Sequence, residues 1–183
     1  MSIKLYKKME SSYSKYITKA ILVVAFLFLA FPDQAQSKEL LTADDIIKLL
    51  PDKILPGFSQ STKPTGKLLK IGTLRYSLAE KNFSNGKKKV KILLFDYLEA
   101  SIMYNQATKK FNTISDTDSD SVYLHKLDVA NGNGWESGNK KNLSSQILLG
   151  VNNRYYLTIE GENMSSAELG EVLQFININL FPE

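Results

Sequence analysis

The chain has 183 residues, of which 43% are hydrophobic and 23% charged, and it contains no cysteine. This length is typical of one domain, and the lack of cysteine excludes disulfides and cysteine-ligated metal sites. Five of the 23 basic and two of the 19 acidic residues lie in residues 1–35, so the remaining 148 residues carry 18 basic and 17 acidic groups. A net charge of +1 on that part of the chain argues against a nucleic-acid partner.

The first 35 residues have the three parts of a secretory signal peptide. Five lysines precede the apolar run Ala20–Phe31, Pro32 ends this run, and Ala35 offers a small residue for cleavage. The apolar run is twelve residues long, whereas a membrane-spanning helix needs roughly 20. We therefore expect a signal peptide over residues 1–35, a single domain over residues 36–183, a periplasmic or secreted location, and no stable membrane span after cleavage.

Hydrophobic periodicity predicts an α+β domain with an antiparallel sheet of about six strands. Thr42 begins a short helix that Pro51 ends, and the Pro- and Gly-rich segment 53–67 predicts an irregular connection. Alternating apolar residues predict two strands that pair through a hairpin turn at Asn85-Gly86. A change to helical spacing then predicts a middle helix over residues 98–111.

The second half of the chain predicts four more strands and a closing helix. The strands are expected at residues 121–128, 134–139, 144–151 and 154–160. Asn152-Asn153 forms the turn between the last two, because asparagine tolerates positive φ. Ser165 and Glu168 form a capping box, and the apolar stripe that follows predicts a helix. We expect the N-terminal, middle and C-terminal helices to pack on the sheet.

Three segments of this pattern resemble sequences of other exported proteins. They are Gly72–Phe83 (GTLRYSLAEKNF), the lysine-rich hairpin Lys87–Asp96, and Val151–Gly161 (VNNRYYLTIEG). Through them the domain resembles small uncharacterised exported bacterial proteins, and the Gln-Ala-Gln end of the signal is similar to Bacteroidetes-type signals. The layout is also similar to PsbP/Mog1-type α/β/α sandwiches. This resemblance implies an accessory or binding module and implies no site residues.

The residues predict no catalytic, cofactor-binding or metal-binding constellation. His125 is the only histidine and lies in a predicted strand. A triad with Asp128 or another acid is formally possible, but no G-x-S-x-G nucleophile elbow accompanies it. A closed zinc site lacks ligands, because the chain has one histidine and no cysteine. We therefore interpret His125 as a half-exposed structural residue.

An acidic segment offers a possible calcium loop. Asp116, Asp118 and Asp120 have the 1, 3, 5 spacing of such a loop, but Ser121 stands where glycine is needed and Leu127 where a bidentate glutamate is needed. We interpret the segment as a solvated loop between helix and strand. A calcium-dependent surface protein remains an alternative.

Two further groups of side chains have an ordinary structural interpretation. The basic run Lys87–Lys89 with Lys91 fits a hairpin rim that keeps a sheet edge soluble, rather than a nucleic-acid or lipid site. Alternation places Tyr76 and Tyr155 on core faces and Tyr156 on the opposite face. Trp135 lies in a Gly/Asn-rich setting and is expected to be exposed, where aromatic residues can bind glycans or peptides. Ordinary aromatic packing is the preferred interpretation.

The lack of a catalytic constellation favours an exported, non-enzymatic envelope or periplasmic module that binds a protein or a small ligand and uses no cofactor. The alternative is a hydrolase that uses dispersed carboxylates such as Asp96, Glu99 and Glu136. Such an enzyme would need paired carboxylates roughly 5 to 9.5 Å apart in one cleft.

Overall fold

Nine strands form one antiparallel sheet in the computed structural model, which describes residues 39–183. The helices are α1 (Ala43–Lys48), α2 (Ser101–Thr108) and α3 (Ser166–Gln174), followed by a 3-10 turn (Ile178–Leu180). The strands are β1 (Ser59–Gln60), β2 (Thr65–Ile71), β3 (Leu74–Asn85), β4 (Lys88–Glu99), β5 (Thr117–Asp118), β6 (Val122–Val129), β7 (Gly132–Asn139), β8 (Ser144–Val151) and β9 (Tyr155–Glu162). The predicted signal peptide, residues 1–35, lies outside the described residues.

The strand order is β1-β3-β4-β9-β8-β7-β6-β5, and β2 also pairs with β3. The α+β class is confirmed, but the number of strands exceeds the predicted six because β1, β2 and β5 were not expected. The irregular connection predicted over residues 53–67 is wrong at its end, where β2 begins at Thr65. β2 pairs only with β3 at the margin of the sheet and most of its residues are exposed, so it lacks the apolar alternation that identifies a half-buried strand.

Local sequence signals set the turns and caps as predicted. Gly86 has a φ of 59° in the β3–β4 turn, and Asn152 and Asn153 have φ of 53° and 51° between β8 and β9. The Thr42 hydroxyl accepts the Asp45 N–H at the start of α1. Ser165 and Glu168 make a complete capping box at the start of α3. The middle helix is shorter than predicted, because β4 continues to Glu99 before the helix begins.

The sheet has a core on each face. We call the side covered by α1 and α3 the front face and the side covered by α2 the back face. The sheet contributes to the larger, front core mainly through Ile92, Leu94, Ile147, Leu149, Leu157 and Ile159. The smaller, back core contains Tyr76, Tyr97, Ala100 and Tyr104. Buried side chains follow one alternation along most of β3 and β4, and Tyr76 and Tyr97 break it because they belong to the back core.

Two aromatic residues differ from the prediction. Tyr76 packs on the back face with Tyr156, whereas Tyr155 belongs to the front core, because α2 gives the back face a core of its own. Trp135 was expected to face the solvent, but it is only 3% exposed. Its Nε1 donates to the carbonyl oxygen of Phe111 at 3.1 Å, so the loop after α2 covers it.

A buried lysine fixes the end of α1 on the sheet. Lys81, on the front face of β3, is 2% exposed. Its Nζ donates to the Leu50 carbonyl oxygen and to Asp52 Oδ1, both at 2.8 Å. A cation at the carboxyl end of a helix satisfies carbonyl groups that have no partner within the helix. These contacts give Lys81 a structural role.

Candidate functional site

A pocket of about 260 Å³ opens on the front face, above β6 to β8 and beside the start of α3. Tyr123 and His125 of β6 line it, together with residues of the β7–β8 loop and of the start of α3. Its wall consists mainly of apolar atoms, with polar groups from a few side chains. Such walls are typical of sites that bind small molecules.

Strand alternation places Tyr123 and His125 on the same face of β6. Gly138 lies opposite Tyr123 in the β6–β7 pairing, and a Cβ at this glycine would lie 2.5 Å from the Tyr123 hydroxyl oxygen. The absence of a side chain at Gly138 therefore lets the Tyr123 ring lie over β7. Tyr123 is 7% exposed, and within residues 39–183 its hydroxyl makes no hydrogen bond of acceptable geometry.

Burial raises the pKa of Tyr123, and the nearby hydroxyls of Ser166 and Ser145 offset part of this rise. The Tyr123 side chain therefore stays neutral near pH 7. It presents an aromatic surface to the pocket and contributes no charge.

Leu143 forms part of the wall in a strained backbone conformation. Its φ is +50°, and the four other non-glycine residues of the described chain with positive φ are all asparagines. A left-handed conformation costs a leucine roughly 1–2 kcal/mol. The Leu143 carbonyl oxygen accepts the Met164 N–H at 2.8 Å, which holds the loop against the start of α3. The side chain is 47% exposed and belongs to neither core.

Three charged or titratable side chains meet at the mouth of the pocket. Lys140 Nζ donates to Asp118 Oδ1, and His125 Nε2 lies 3.9 Å from Asp118 Oδ2. The hydrogen bond from Lys140 lowers the pKa of Asp118, and the charges of Lys140 and His125 act in the same direction. All three side chains are 43% to 56% exposed. Exposed pairs of this kind contribute little to stability.

Of the acids that the sequence left open as partners of His125, Asp118 and not Asp128 lies beside it. Asp128 lies 3.3 Å from Lys126 Nζ, whereas His125 lies beside Asp118. No serine hydroxyl is hydrogen-bonded to His125 in the part of the chain that the structure describes. The site therefore lacks the connected nucleophile, base and orienting acid of a triad.

The three aspartates of the acidic segment do not converge. Asp116 Oδ1 accepts the Lys126 N–H at 3.0 Å, and Asp118 binds Lys140. Within residues 39–183, no three His, Asp or Glu side chains lie close enough to hold a metal ion. The segment includes β5, which pairs with β6, and it carries Asp118 to the mouth of the pocket.

The dispersed carboxylates named for a hydrolase do not share a cleft. Asp96 pairs with Arg154, Glu99 with Arg75, and Glu136 Oε1 accepts the hydroxyl of Ser166. β4 and β7 are separated by β9 and β8, so Glu136 lies at least about 14 Å from β4 across three strand spacings. Asp96 is fully buried and Glu99 is exposed. Asp96 is therefore closed to a substrate, and Glu136 is too far from β4 to pair with Asp96 or Glu99.

The lysine-rich hairpin has mainly structural contacts. Lys88 Nζ donates to Glu168 of the α3 capping box, and Lys89 lies 2.8 Å from Glu162 of β9. The hydrogen bond from Lys88 and the Ser165 amide hold the pKa of Glu168 below its usual range. Lys88 thus helps to place the start of α3 at the edge of the pocket.

The sequence singled out His125 as a structural residue and Asp118 as part of a possible calcium loop, and it did not bring the two together. It gave no indication of Leu143, Lys140 or the Ser165-Ser166 edge. Lys140 and Leu143 belong to a polar Asn-Lys-Lys-Asn-Leu loop. Asn142 is the residue there that predicts a left-handed position, yet Leu143 adopts it. Only the tertiary structure shows which side chains meet at the pocket.

No helix among residues 39–183 is long and apolar enough to cross a membrane. No protein-family model, curated protein or solved structure matches the chain. Evidence on function therefore comes from the geometry of the pocket and from the sequence.

Proposed function

We propose that this chain is an exported, non-enzymatic envelope module that binds a small ligand with an apolar body in the pocket. The observation that carries the proposal is the conformation of Leu143. The chain places asparagine at its four other left-handed non-glycine positions, and asparagine or glycine at position 143 would remove a strain of roughly 1–2 kcal/mol. Strained residues of this kind are concentrated at functional sites.

The environment of Leu143 supports a ligand contact as the reason for this strain. Its side chain is half-exposed and lines the pocket instead of filling a core. Tyr123 lines the same pocket, so an apolar ligand would be in contact with both side chains. A mainly apolar wall with a few polar groups at its edge is typical of a site that binds a small molecule.

Export is supported by the composition of residues 1–35. A basic segment, a short apolar run and a small residue are typical of a cleaved signal. Intact-mass analysis of the protein from its native cells tests this. We expect the mature chain to begin after Ala35 and to occur in the envelope or secreted fraction. A chain that keeps Met1 in the cytosolic fraction would contradict export.

Calorimetric titration with 1-octanol, a neutral probe with an apolar chain, tests the binding function on protein purified after expression of the full chain. We expect saturable binding at one site. Ala167→Trp should weaken this binding at least about tenfold by filling the pocket, because Ala167 lines it and is exposed. Gln174→Trp is the matched control, since Gln174 is exposed on the same helix but does not line the pocket.

Binding of 1-octanol that is equal in the wild type and in Ala167→Trp would show that the probe binds elsewhere. The absence of saturable binding to the wild type would also reject the proposed function.

A further inference from the structure

We infer that the ligand of this pocket carries a carboxylate, which Lys140 and His125 bind at the mouth in place of Asp118. This inference rests on the proposed function of the pocket and specifies the chemical class of the ligand. An apolar chain or ring would contact Tyr123 and Leu143, and the acid group would remain at the mouth.

The polar side chains that line the pocket favour an anionic group. Lys140 supplies a positive charge, and His125 and Asn139 can donate hydrogen bonds. The hydroxyls of the three lining serines already donate to acceptors of the protein, namely Asn142, Glu168 and Glu136. None of the described residues that line the pocket is acidic. A ligand carboxylate therefore meets donors on the wall, whereas a ligand ammonium group would meet Lys140.

Asp118 already places a carboxylate between Lys140 and His125. Its side chain does not line the pocket and comes from β5, a strand of only two residues at the end of the sheet. The Asp118 side chain is 56% exposed, and exposed ion pairs contribute about 0–1 kcal/mol. A ligand carboxylate can replace this contact at little cost and add the burial of its own apolar chain.

The neighbouring acids have other partners. Glu136 lies opposite His125 in the β6–β7 pairing, and its carboxylate accepts the Ser166 hydroxyl. Glu168 accepts the Ser165 N–H at 3.0 Å and binds Lys88. Because Glu136 and Glu168 are already hydrogen-bonded at the start of α3, recognition of the ligand's acid group depends on Lys140 and His125.

Three probes with the same eight-carbon chain test the inference: octanoate, 1-octanol and octylammonium, titrated at pH 7 and low salt into protein purified after expression of the full chain. We expect octanoate to bind roughly tenfold more tightly than 1-octanol, as one hydrogen bond to a charged group would provide. Octylammonium should bind more weakly than 1-octanol. Asp118→Asn should increase the affinity for octanoate and leave that for 1-octanol unchanged, because it removes the competing carboxylate.

Lys140→Gln should abolish the advantage of octanoate over 1-octanol, so that the ratio of the two affinities falls to about one. Lys141→Gln is the matched control, because Lys141 is an exposed neighbour that does not line the pocket. Thermal melting of each variant confirms that it is folded before titration.

The outcomes separate this inference from the proposed function. Equal affinity for octanoate and 1-octanol, or an octanoate advantage that survives Lys140→Gln, overturns the inference and leaves the binding function in place. Preference for octylammonium also overturns it and would identify Asp118 as the recognising group. If none of the probes binds, the proposed function fails as well.

Discussion

Arg154 and Asp96 form a buried, two-pronged ion pair that joins the β8–β9 turn to β4. Arg154 Nε lies 2.8 Å from Asp96 Oδ1, and Nη2 lies 2.7 Å from Oδ2. The guanidinium also donates to the carbonyl oxygens of Glu39 and Glu183 at 2.8 and 3.2 Å, and Asp96 accepts the Leu41 N–H at 3.0 Å. The pair therefore ties segments from both ends of the described chain to the centre of the sheet.

Replacement of Arg154 by methionine should strongly destabilise the domain. Asp96 is fully buried, and removal of one partner of a buried ion pair leaves an uncompensated charge, which costs about 3–5 kcal/mol. Urea denaturation measures this loss in the free energy of unfolding. Arg75→Met is the matched control, because the Arg75–Glu99 pair is 47% and 41% exposed and should contribute no more than about 1 kcal/mol. Equal losses in the two variants would contradict a structural role for the buried pair.

Leu143→Asn should increase the free energy of unfolding by about 1 kcal/mol, because asparagine tolerates the left-handed conformation that leucine resists. The same variant should lose affinity for 1-octanol, since Leu143 lines the pocket. Asn153→Leu is the reverse test, because the Asn153 side chain is exposed and makes no hydrogen bond within residues 39–183. It places leucine at a φ of 51° and should destabilise the domain by a similar amount. Thermal melting measures the change in stability of both variants. A Leu143→Asn variant that is less stable than the wild type would refute the strain argument.

Glu168→Gln should reduce stability at pH 7 by about 0.5–1 kcal/mol, because it removes a negative charge from the start of a helix. Lys88 and the Ser165 amide lower the pKa of Glu168 in the folded chain from its ordinary value of 4.5. The unfolded chain therefore binds more protons between the two pKa values. The stabilisation is complete above about pH 4.5 and disappears as the pH falls through the lower, folded pKa.

Thermal melts from pH 7 to pH 2 test this dependence. The wild type and Glu168→Gln should converge at low pH. Glu171→Gln serves as the control, because Glu171 is exposed on the same helix and forms no ion pair within residues 39–183. A difference between wild type and Glu168→Gln that persists unchanged at pH 2 would show that the charge is not its cause.

Gly138→Ala should destabilise the domain by about 1–3 kcal/mol, because the added Cβ would lie 2.5 Å from both the Tyr123 hydroxyl and the Ser144 carbonyl oxygen. Gly170→Ala is the opposite case. A Cβ there meets nothing within 4 Å, and alanine in a helix interior is favoured over glycine by about 0.8–1 kcal/mol. The melting temperature should fall for Gly138→Ala and rise for Gly170→Ala. A stabilised Gly138→Ala would show that Tyr123 does not need the space above β7.

Most regular elements could be predicted because their signals are local. Gly86 and the Asn152-Asn153 pair set hairpin turns through their own φ angles, and Thr42 and Ser165 cap helices within three residues. The edge strands β1, β2 and β5 form through backbone pairing with a neighbouring strand. Their sequences carry no apolar alternation, so no local pattern predicted them.

The candidate site could be predicted only in part. In the sequence, His125 is noticeable as the only histidine and Asp118 as part of an acidic segment. The role of Leu143 depends on a backbone angle that no residue pattern reveals.

The sequence by itself determined where the six predicted strands, their turns and the helix caps occur, because these depend on residues a few positions apart. Only the tertiary structure decided that β4 lies beside β9, that Arg154 reaches Asp96, and that the β7–β8 loop meets the start of α3. Those contacts join residues far apart in the chain, and they depend on how the whole sheet pairs and on which face each helix covers.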